Sequence, residues 1–106
     1  MSNRFMRIIL FFDLPAVTKK DHREYTRFIK QIKKLGFIMM QESVYTKLAL
    51  NPSVSNSAIN DIKKNLPPEG VVSVLTITEN QFASIDYLIG EIKTDIISNE
   101  DEVIKL

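Results

Sequence analysis

The sequence predicts a small α+β domain whose strands and helices follow the order β-α-β-β-α-β. Three observations predict this fold class. An apolar run near the N-terminus has the composition of a buried strand, two stretches have helical spacing of apolar residues, and further apolar runs lie between turn signals. With 106 residues, the chain has room for one domain and a single hydrophobic core.

The first predicted strand covers Arg4–Phe12 and ends at Asp13-Leu14-Pro15. Alternate residues along a strand point to opposite faces, and here both faces are apolar. The faces comprise Met6, Ile8, Leu10 and Phe12 on one side and Phe5, Ile9 and Phe11 on the other. Apolar residues on both faces are typical of a central strand that is covered on both sides.

The first predicted helix lies between Thr18 and Gly36. Thr18 can cap it together with Asp21, and Gly36 can take the left-handed conformation that ends a helix. One stripe of the helix is apolar and the opposite stripe is basic. The apolar stripe is Tyr25, Phe28, Ile29, Ile32 and Leu35, and the basic stripe is Lys20, Arg23, Arg27, Lys30 and Lys34.

Residues 37–50 are too long for one ordinary strand. The polar step Gln41-Glu42-Ser43 predicts a break or bulge, with strands near 37–41 and 43–50. After a turn at Asn51-Pro52-Ser53, apolar spacing predicts a second helix over roughly 54–66.

Pro67-Pro68-Glu69-Gly70 ends this helix, and Val71–Thr78 is a further strand that is apolar on both faces. The order is therefore complete at residue 78, and it is the order of a ferredoxin-like sandwich. In that topology both helices cover one face of an antiparallel sheet and leave the other face bare. Because the bare face is apolar too, we expect a homodimer in which two sheets stack face to face.

We divide the chain into a core domain, 1–78, and a C-terminal extension, 79–106. Within the extension we expect a helical turn at Asn80–Ala83 and a short strand at Ile85–Ile89, whereas residues 92–99 are ambiguous. A final strand is predicted at the C-terminus. Strands of this kind add to a sheet edge of another chain, so we assign them to swapping within the dimer and to docking of a partner. The docking residues are Val103, Ile104 and Leu106.

Composition excludes several classes of site. Cysteine is absent, which excludes disulfides and thiolate metal sites and is compatible with a reducing cytoplasm. The apolar run Ile8–Phe12 is too short for a membrane span or a secretory signal. Phosphate-binding Gly-rich loops, H-E-x-x-H and nucleophile elbows are also missing. The single His, His22, lies among charged residues and is interpreted as solvated surface.

Charge is distributed unevenly along the chain. Residues 1–78 hold 12 Lys and Arg against 6 Asp and Glu, whereas residues 79–106 hold 2 against 7. This pattern favours a polyanion on one surface and a basic protein partner on another; the alternative is an uneven but merely solvated surface. The first helix carries seven of the 14 basic residues. Its candidate nucleic-acid contacts are Lys19, Lys20, Arg23, Arg27, Lys30 and Lys34.

Asp13 is the candidate catalytic and metal-binding residue. It follows a buried strand, on the same face as Ile9 and Phe11. If the bare faces stack, Asp13 from each protomer can approach the two-fold axis, where two carboxylates favour a shared Mg²⁺. A metal-activated water could then attack a phosphodiester. The alternative is that the carboxylate caps backbone amides in the following turn.

Three segments together resemble one known family, the CRISPR-associated Cas-two proteins, in the form found beside type II-A systems. The segments are the strand–Asp–x–Pro opening of Arg4–Pro15, Gly36–Tyr45 with its G-F-x-x-x-Q-x-S-V-Y pattern, and Leu75–Phe82. The similarity runs through essentially the whole chain.

The resemblance implies a ferredoxin-like homodimer with Asp13 as the paired Mg²⁺ ligand. It also implies a role in CRISPR adaptation, in which a central dimer bridges two dimers of the Cas-one integrase and holds a DNA duplex. The family is further assigned a metal-dependent endonuclease activity on RNA or DNA, so single-stranded RNA is another candidate ligand. We therefore consider two hypotheses, a nucleic-acid-binding scaffold and a phosphodiesterase. A third hypothesis, a small-molecule-sensing domain, is disfavoured by the basic face of the first helix.

Overall fold

A computed structural model of the chain describes residues 5–90. Its elements are β1 (Met6–Asp13), α1 (Lys19–Lys34), β2 (Ile38–Gln41), β3 (Val44–Ala49), α2 (Pro52–Lys63), β4 (Val71–Thr78) and α3 (Glu79–Ala83). The predicted order is confirmed. The strands form one antiparallel sheet in the order β2-β3-β1-β4, as expected of a ferredoxin-like sandwich.

The main core lies between the sheet and the two long helices. β1 is central and pairs with β3 on one side and β4 on the other. Ile8 and Leu10 of β1, and Phe28 and Ile32 of α1, have no exposed surface. Aromatic rings close the end of this core near Asp13, where Phe12 contacts Phe28, Tyr45 and Tyr25 with centroid distances of 5.5, 5.8 and 6.3 Å.

The boundaries of α2 differ from the predicted range 54–66. The helix begins at Pro52 because the Asn51 side chain accepts a hydrogen bond from the Val54 amide at 3.0 Å, and proline is favourable in the first turn. It ends at Lys63, with Lys64 as the C-cap, and Leu66 is disfavoured in the helical conformation because Pro67 follows it.

The break between the second and third strands is confirmed. β2 and β3 form a tight hairpin, with a register irregularity between Met39 and Gln41 and a positive φ of 63° at Ser43. The Ser43 carbonyl accepts a hydrogen bond from the Phe12 amide at 3.1 Å. The turn of the hairpin therefore lies against the end of β1.

The face of the sheet that the long helices leave bare is partly covered by α3. Arg7 and Glu79 form a bidentate ion pair, with contacts of 2.9 and 2.6 Å, and the Arg7 guanidinium lies 4.3 Å from the Phe82 ring centroid. Phe82 is buried with Ile9 and Met40 in a second cluster. The helical turn predicted at 80–83 is thus confirmed as α3, which caps one end of this face.

The other end of the same face stays open in the single chain. Phe11, Leu75 and Val71 are 39%, 50% and 60% exposed. Val71 is the ladder partner of Asp13, whereas Leu75 is that of Ile9. The bare apolar face predicted from the sequence therefore exists, and it extends beyond the end near Asp13, because Leu48, the ladder partner of Arg7, is 40% exposed.

In the single chain residues 85–89 form no regular strand. They line a groove with Ile9, Phe11 and Met40, on the face of the sheet and not along an edge, so their backbone has no neighbouring strand to pair with. That a strand at Ile85–Ile89 pairs with a second chain stays a prediction. The predictions for residues 92–99, for Val103–Leu106 and for the first residue of the first strand lie outside the described residues. Within residues 5–90, no helix has both the length and the apolar character needed to cross a bilayer.

Candidate functional site

Asp13 ends β1 on the open half of the sheet and is exposed. Within residues 5–90 its carboxylate accepts no hydrogen bond and forms no ion pair. The alternative in which this carboxylate caps the following turn is therefore not observed. A carboxylate with both oxygens free, beside an exposed apolar patch, is available to a cation or to a second protein chain.

Two backbone contacts hold Asp13 in place. On one side the β2–β3 turn contacts the preceding residue, Phe12. On the other side Gly70 lies so close that a Cβ added there would be 2.7 Å from the Asp13 carbonyl oxygen and 2.8 Å from Leu14 Cδ2. Gly70 also has a φ of +103°, a conformation that side chains strongly disfavour. Glycine at this position therefore sets the distance between β4 and the end of β1.

Asp13 fits Mg²⁺ as half of a paired site. Among the described residues no three His, Cys, Asp or Glu side chains are grouped as a metal site. Mg²⁺ is commonly held by one or two carboxylates and several waters, so a single carboxylate per chain is sufficient if a second copy supplies another. Glu42 lies in the turn that adjoins the end of β1 and is exposed.

The predicted cap of α1 is confirmed in detail. Asp21 Oδ2 accepts hydrogen bonds from the Thr18 and Val17 amides, both at 3.0 Å, and Thr18 Oγ1 accepts one from the Asp21 amide. These hydrogen bonds, first to Thr18 and then to Val17, lower the pKa of Asp21. His22, as interpreted from the sequence, is exposed, with Nε2 3.2 Å from the Ala16 carbonyl.

Most of the basic residues predicted to contact nucleic acid are exposed along α1. Within the described part of the chain, none of them has an ion-pair partner. These residues are Lys19, Lys20, Arg23, Lys30 and Lys34, and Lys33 is exposed beside them. Their charges are therefore exposed and unpaired within the described part of the chain.

Arg27 differs from the rest of the stripe. Its Nε donates to Glu24 at 2.9 Å, and its Nη1 and Nη2 donate to the carbonyl oxygens of Asn65 and Leu66, both at 3.2 Å. Sequence reasoning grouped Arg27 with the phosphate contacts and missed this role. The available signal was Glu24, because oppositely charged residues three apart on a helix are neighbours.

Comparisons with known proteins agree on one family. The family model described as CRISPR associated protein Cas2 matches residues 6–85. A CRISPR-associated endoribonuclease Cas2 from Treponema denticola is 46% identical over 101 residues, covering 95% of this chain and all of the relative. The protein of the same name from Streptococcus mutans is 43% identical, covering 95% of this chain and 93% of the relative.

A solved structure supports the fold independently. The chain described as the crystal structure of Cas2 superposes with a TM-score of 0.59, and the match covers 89% of this chain and 97% of the other. Sequence identity in that match is 15%, so it bears on the fold alone.

Proposed function

We propose a function for this chain from the premise that it belongs to the CRISPR-associated Cas2 family. It acts in CRISPR adaptation as a homodimeric scaffold, which bridges two integrase units and holds a DNA duplex through phosphate contacts. The acidic C-terminal extension, with Val103, Ile104 and Leu106, docks the integrase. The absence of cysteine is compatible with a cytoplasmic setting.

The observation that carries the scaffold proposal is the array of basic side chains on α1 that have no partner within residues 5–90. A helix whose outer surface carries this much unpaired positive charge can neutralise several phosphates without reading bases. Dimerisation would double the array. The open apolar half of the sheet, at Phe11, Val71 and Leu75, provides a surface on which a second copy can pack.

A second candidate function is hydrolysis of RNA or DNA at paired Asp13 carboxylates. It is favoured by the free, exposed Asp13 carboxylate and by the relatives, which are named endoribonucleases. When bound, Mg²⁺ would stabilise charge on the phosphate and make a water more acidic. Asp13 would hold the cation, and the adjoining Gly70 and β2–β3 turn would keep its backbone fixed. Single-stranded RNA is the corresponding ligand.

The scaffold is tested by reversing two exposed charges at the centre of the α1 surface, Arg23→Glu and Lys30→Glu. Arg27 is left unchanged because it holds internal hydrogen bonds. We expect duplex affinity to fall for all sequences, and the slope of log affinity against log salt to become shallower by roughly 2 or more, about one unit for each lost phosphate contact.

The matched control is Lys63→Glu together with Lys64→Glu, which makes the same charge change at the end of α2. Fluorescence anisotropy on a labelled duplex over a range of salt concentrations supplies the measurement. If both double variants weaken binding equally, the effect is one of net charge, and the α1 surface is merely solvated.

A further inference from the structure

We infer that Arg27 is a positioning residue for Asp13. The three hydrogen bonds of its guanidinium join α1, through Glu24, to the backbone that follows α2, at Asn65 and Leu66. That backbone leads directly into the loop that packs against Asp13. The inference rests on the proposed role of Asp13, and it removes Arg27 from the set of phosphate contacts.

The first step is the end of α2. The last carbonyl groups of a helix lack partners within the helix, and the C-terminal end carries partial negative charge. Arg27 places a cation there and donates from two nitrogens to successive carbonyl oxygens just beyond the helix. Its planar fork suits this paired contact, whereas an ammonium group cannot reproduce it. Arg27 therefore contributes to the direction in which the chain leaves α2, together with the Asn65 side chain, whose Nδ2 donates to the Asp61 carbonyl oxygen at 2.9 Å.

The second step is the path from Leu66 to Asp13. Four residues after Leu66 the chain reaches Gly70, which has no room for a Cβ against the Asp13 carbonyl and Leu14. The next residue, Val71, is the ladder partner of Asp13. A shift of the loop toward β1 would therefore press against the backbone of Asp13 and Leu14.

The third step is that few side-chain hydrogen bonds hold this loop. A cavity of about 290 Å³ separates Pro67, Pro68 and Glu69 from Leu14, Pro15 and Tyr25. Proline has no amide to donate. Within residues 5–90, no other side chain donates a hydrogen bond to the backbone of residues 66–70. Arg27 is therefore the side chain that anchors the start of this loop at Leu66.

A positioning role and a phosphate contact predict opposite effects of Arg27→Lys. Lysine keeps the charge and binds phosphate well as a point charge, so it would preserve a phosphate contact. It cannot bridge Glu24 and two carbonyl oxygens, so it would not preserve the loop. Arg23, one turn earlier, is exposed and has no side-chain partner within the described residues, which makes it the matched comparison.

The experiment compares Arg27→Lys, Arg27→Gln, Arg23→Lys and Arg23→Gln at a temperature at which all four are folded. Amide hydrogen exchange by NMR at residues 70–73 reports on the loop, and it does not depend on any activity. We expect both Arg27 variants to accelerate exchange there about tenfold, the effect of losing one charge-assisted hydrogen bond. The Arg23 variants should leave it unchanged.

Two further measurements separate the roles. Arg23→Gln should reduce the salt slope of duplex binding by about 1, whereas both Arg27 variants should retain the slope. In Mg²⁺-dependent cleavage of single-stranded RNA, both Arg27 variants should lower kcat about tenfold or more and leave KM nearly unchanged, because a displaced catalytic group affects the transition state more than binding.

The inference is overturned if Arg27→Lys exchanges and cleaves like the unmodified protein while Arg27→Gln loses salt slope, since that is the behaviour of a phosphate contact. It is equally overturned if neither Arg27 variant changes exchange at residues 70–73. If the unmodified protein shows no cleavage that depends on Asp13, the nuclease proposal fails, and hydrogen exchange still decides whether Arg27 holds the loop against Asp13.

Discussion

At the scale of single residues, the surroundings of Asp13 depend on a glycine that carries no chemistry. Gly70 allows β4 to begin directly against the Asp13 carbonyl oxygen. Sequence reasoning identified Asp13 from its place after an apolar strand, and it assigned Gly70 only to the end of a helix. The contact between them joins residues 57 positions apart, which local patterns do not encode.

Gly70→Ala should therefore destabilise the protein by about 2 kcal/mol or more, since a strained φ costs of order 1–3 kcal/mol and the new Cβ also overlaps the backbone. Gly90→Ala is the matched control, because Gly90 has a φ of +80° but nothing within 4 Å of an added Cβ. Chemical denaturation of both variants measures the difference. Equal, small losses would show that the close contact at Gly70 is unimportant.

Asp21 predicts a pH dependence at the same scale. Its hydrogen bonds from the Thr18 and Val17 amides lower the pKa of the folded state below the ordinary value of 3.8. A lowered pKa stabilises the fold above the unfolded value, and this stabilisation is lost as pH falls through the folded value. Asp21→Ala should therefore melt below the unmodified protein at pH 7, with the gap closing below about pH 3.8. If the difference in melting temperature between the two proteins stays constant down to pH 2, the Asp21 carboxylate is not the source of the stabilisation.

At the scale of elements, sequence patterns were most reliable where one element buries one continuous stripe. The limits of α1 follow from its cap and its closing glycine, and the two apolar faces of β1 follow from alternation. The residues at 85–89 were apolar enough for a strand, but strand formation also requires a partner, and these residues lie on the face of the sheet in the single chain. Composition alone could not supply that information.

The face of the sheet that the long helices leave bare leads to a prediction about dimerisation. Ile9 lies on the face that the long helices leave bare, but it is buried with Phe82 within one chain, so a charge placed there would disturb the monomer as well as the dimer. Leu75, its ladder partner on β4, is 50% exposed and tests the interface more cleanly. Leu75→Glu should give a folded monomer, because a charge in a dry interface lacks a partner.

Analytical ultracentrifugation at micromolar concentration measures this outcome. The unmodified protein should sediment as a dimer, and so should Val54→Glu, a control of similar exposure (41%) on α2. A stable species of 12.2 kDa for the unmodified protein would contradict the proposed homodimer.

At the scale of the whole molecule, the proposed functions use different parts of the same small domain. The scaffold uses the charge on the outside of α1 and the C-terminal extension, whereas hydrolysis uses Asp13 at the end of the sheet. The family and the order of elements followed from the sequence. The internal role of Arg27 did not, because a basic residue on an exposed helix gives the same pattern whether it contacts phosphate or a neighbouring loop.

The most direct test of the scaffold proposal is spacer integration by the Asp13→Ala protein together with the integrase and a DNA duplex, with RNA cleavage measured on the same preparation. The substitution removes the proposed metal ligand and leaves the charges of α1 and the C-terminal extension intact. We predict that cleavage is lost while integration stays within about twofold of the unmodified protein, since a surface substitution away from a binding surface has little effect on it. Loss of integration by an Asp13→Ala dimer that is still folded would contradict the account and make the chemistry of Asp13 part of adaptation.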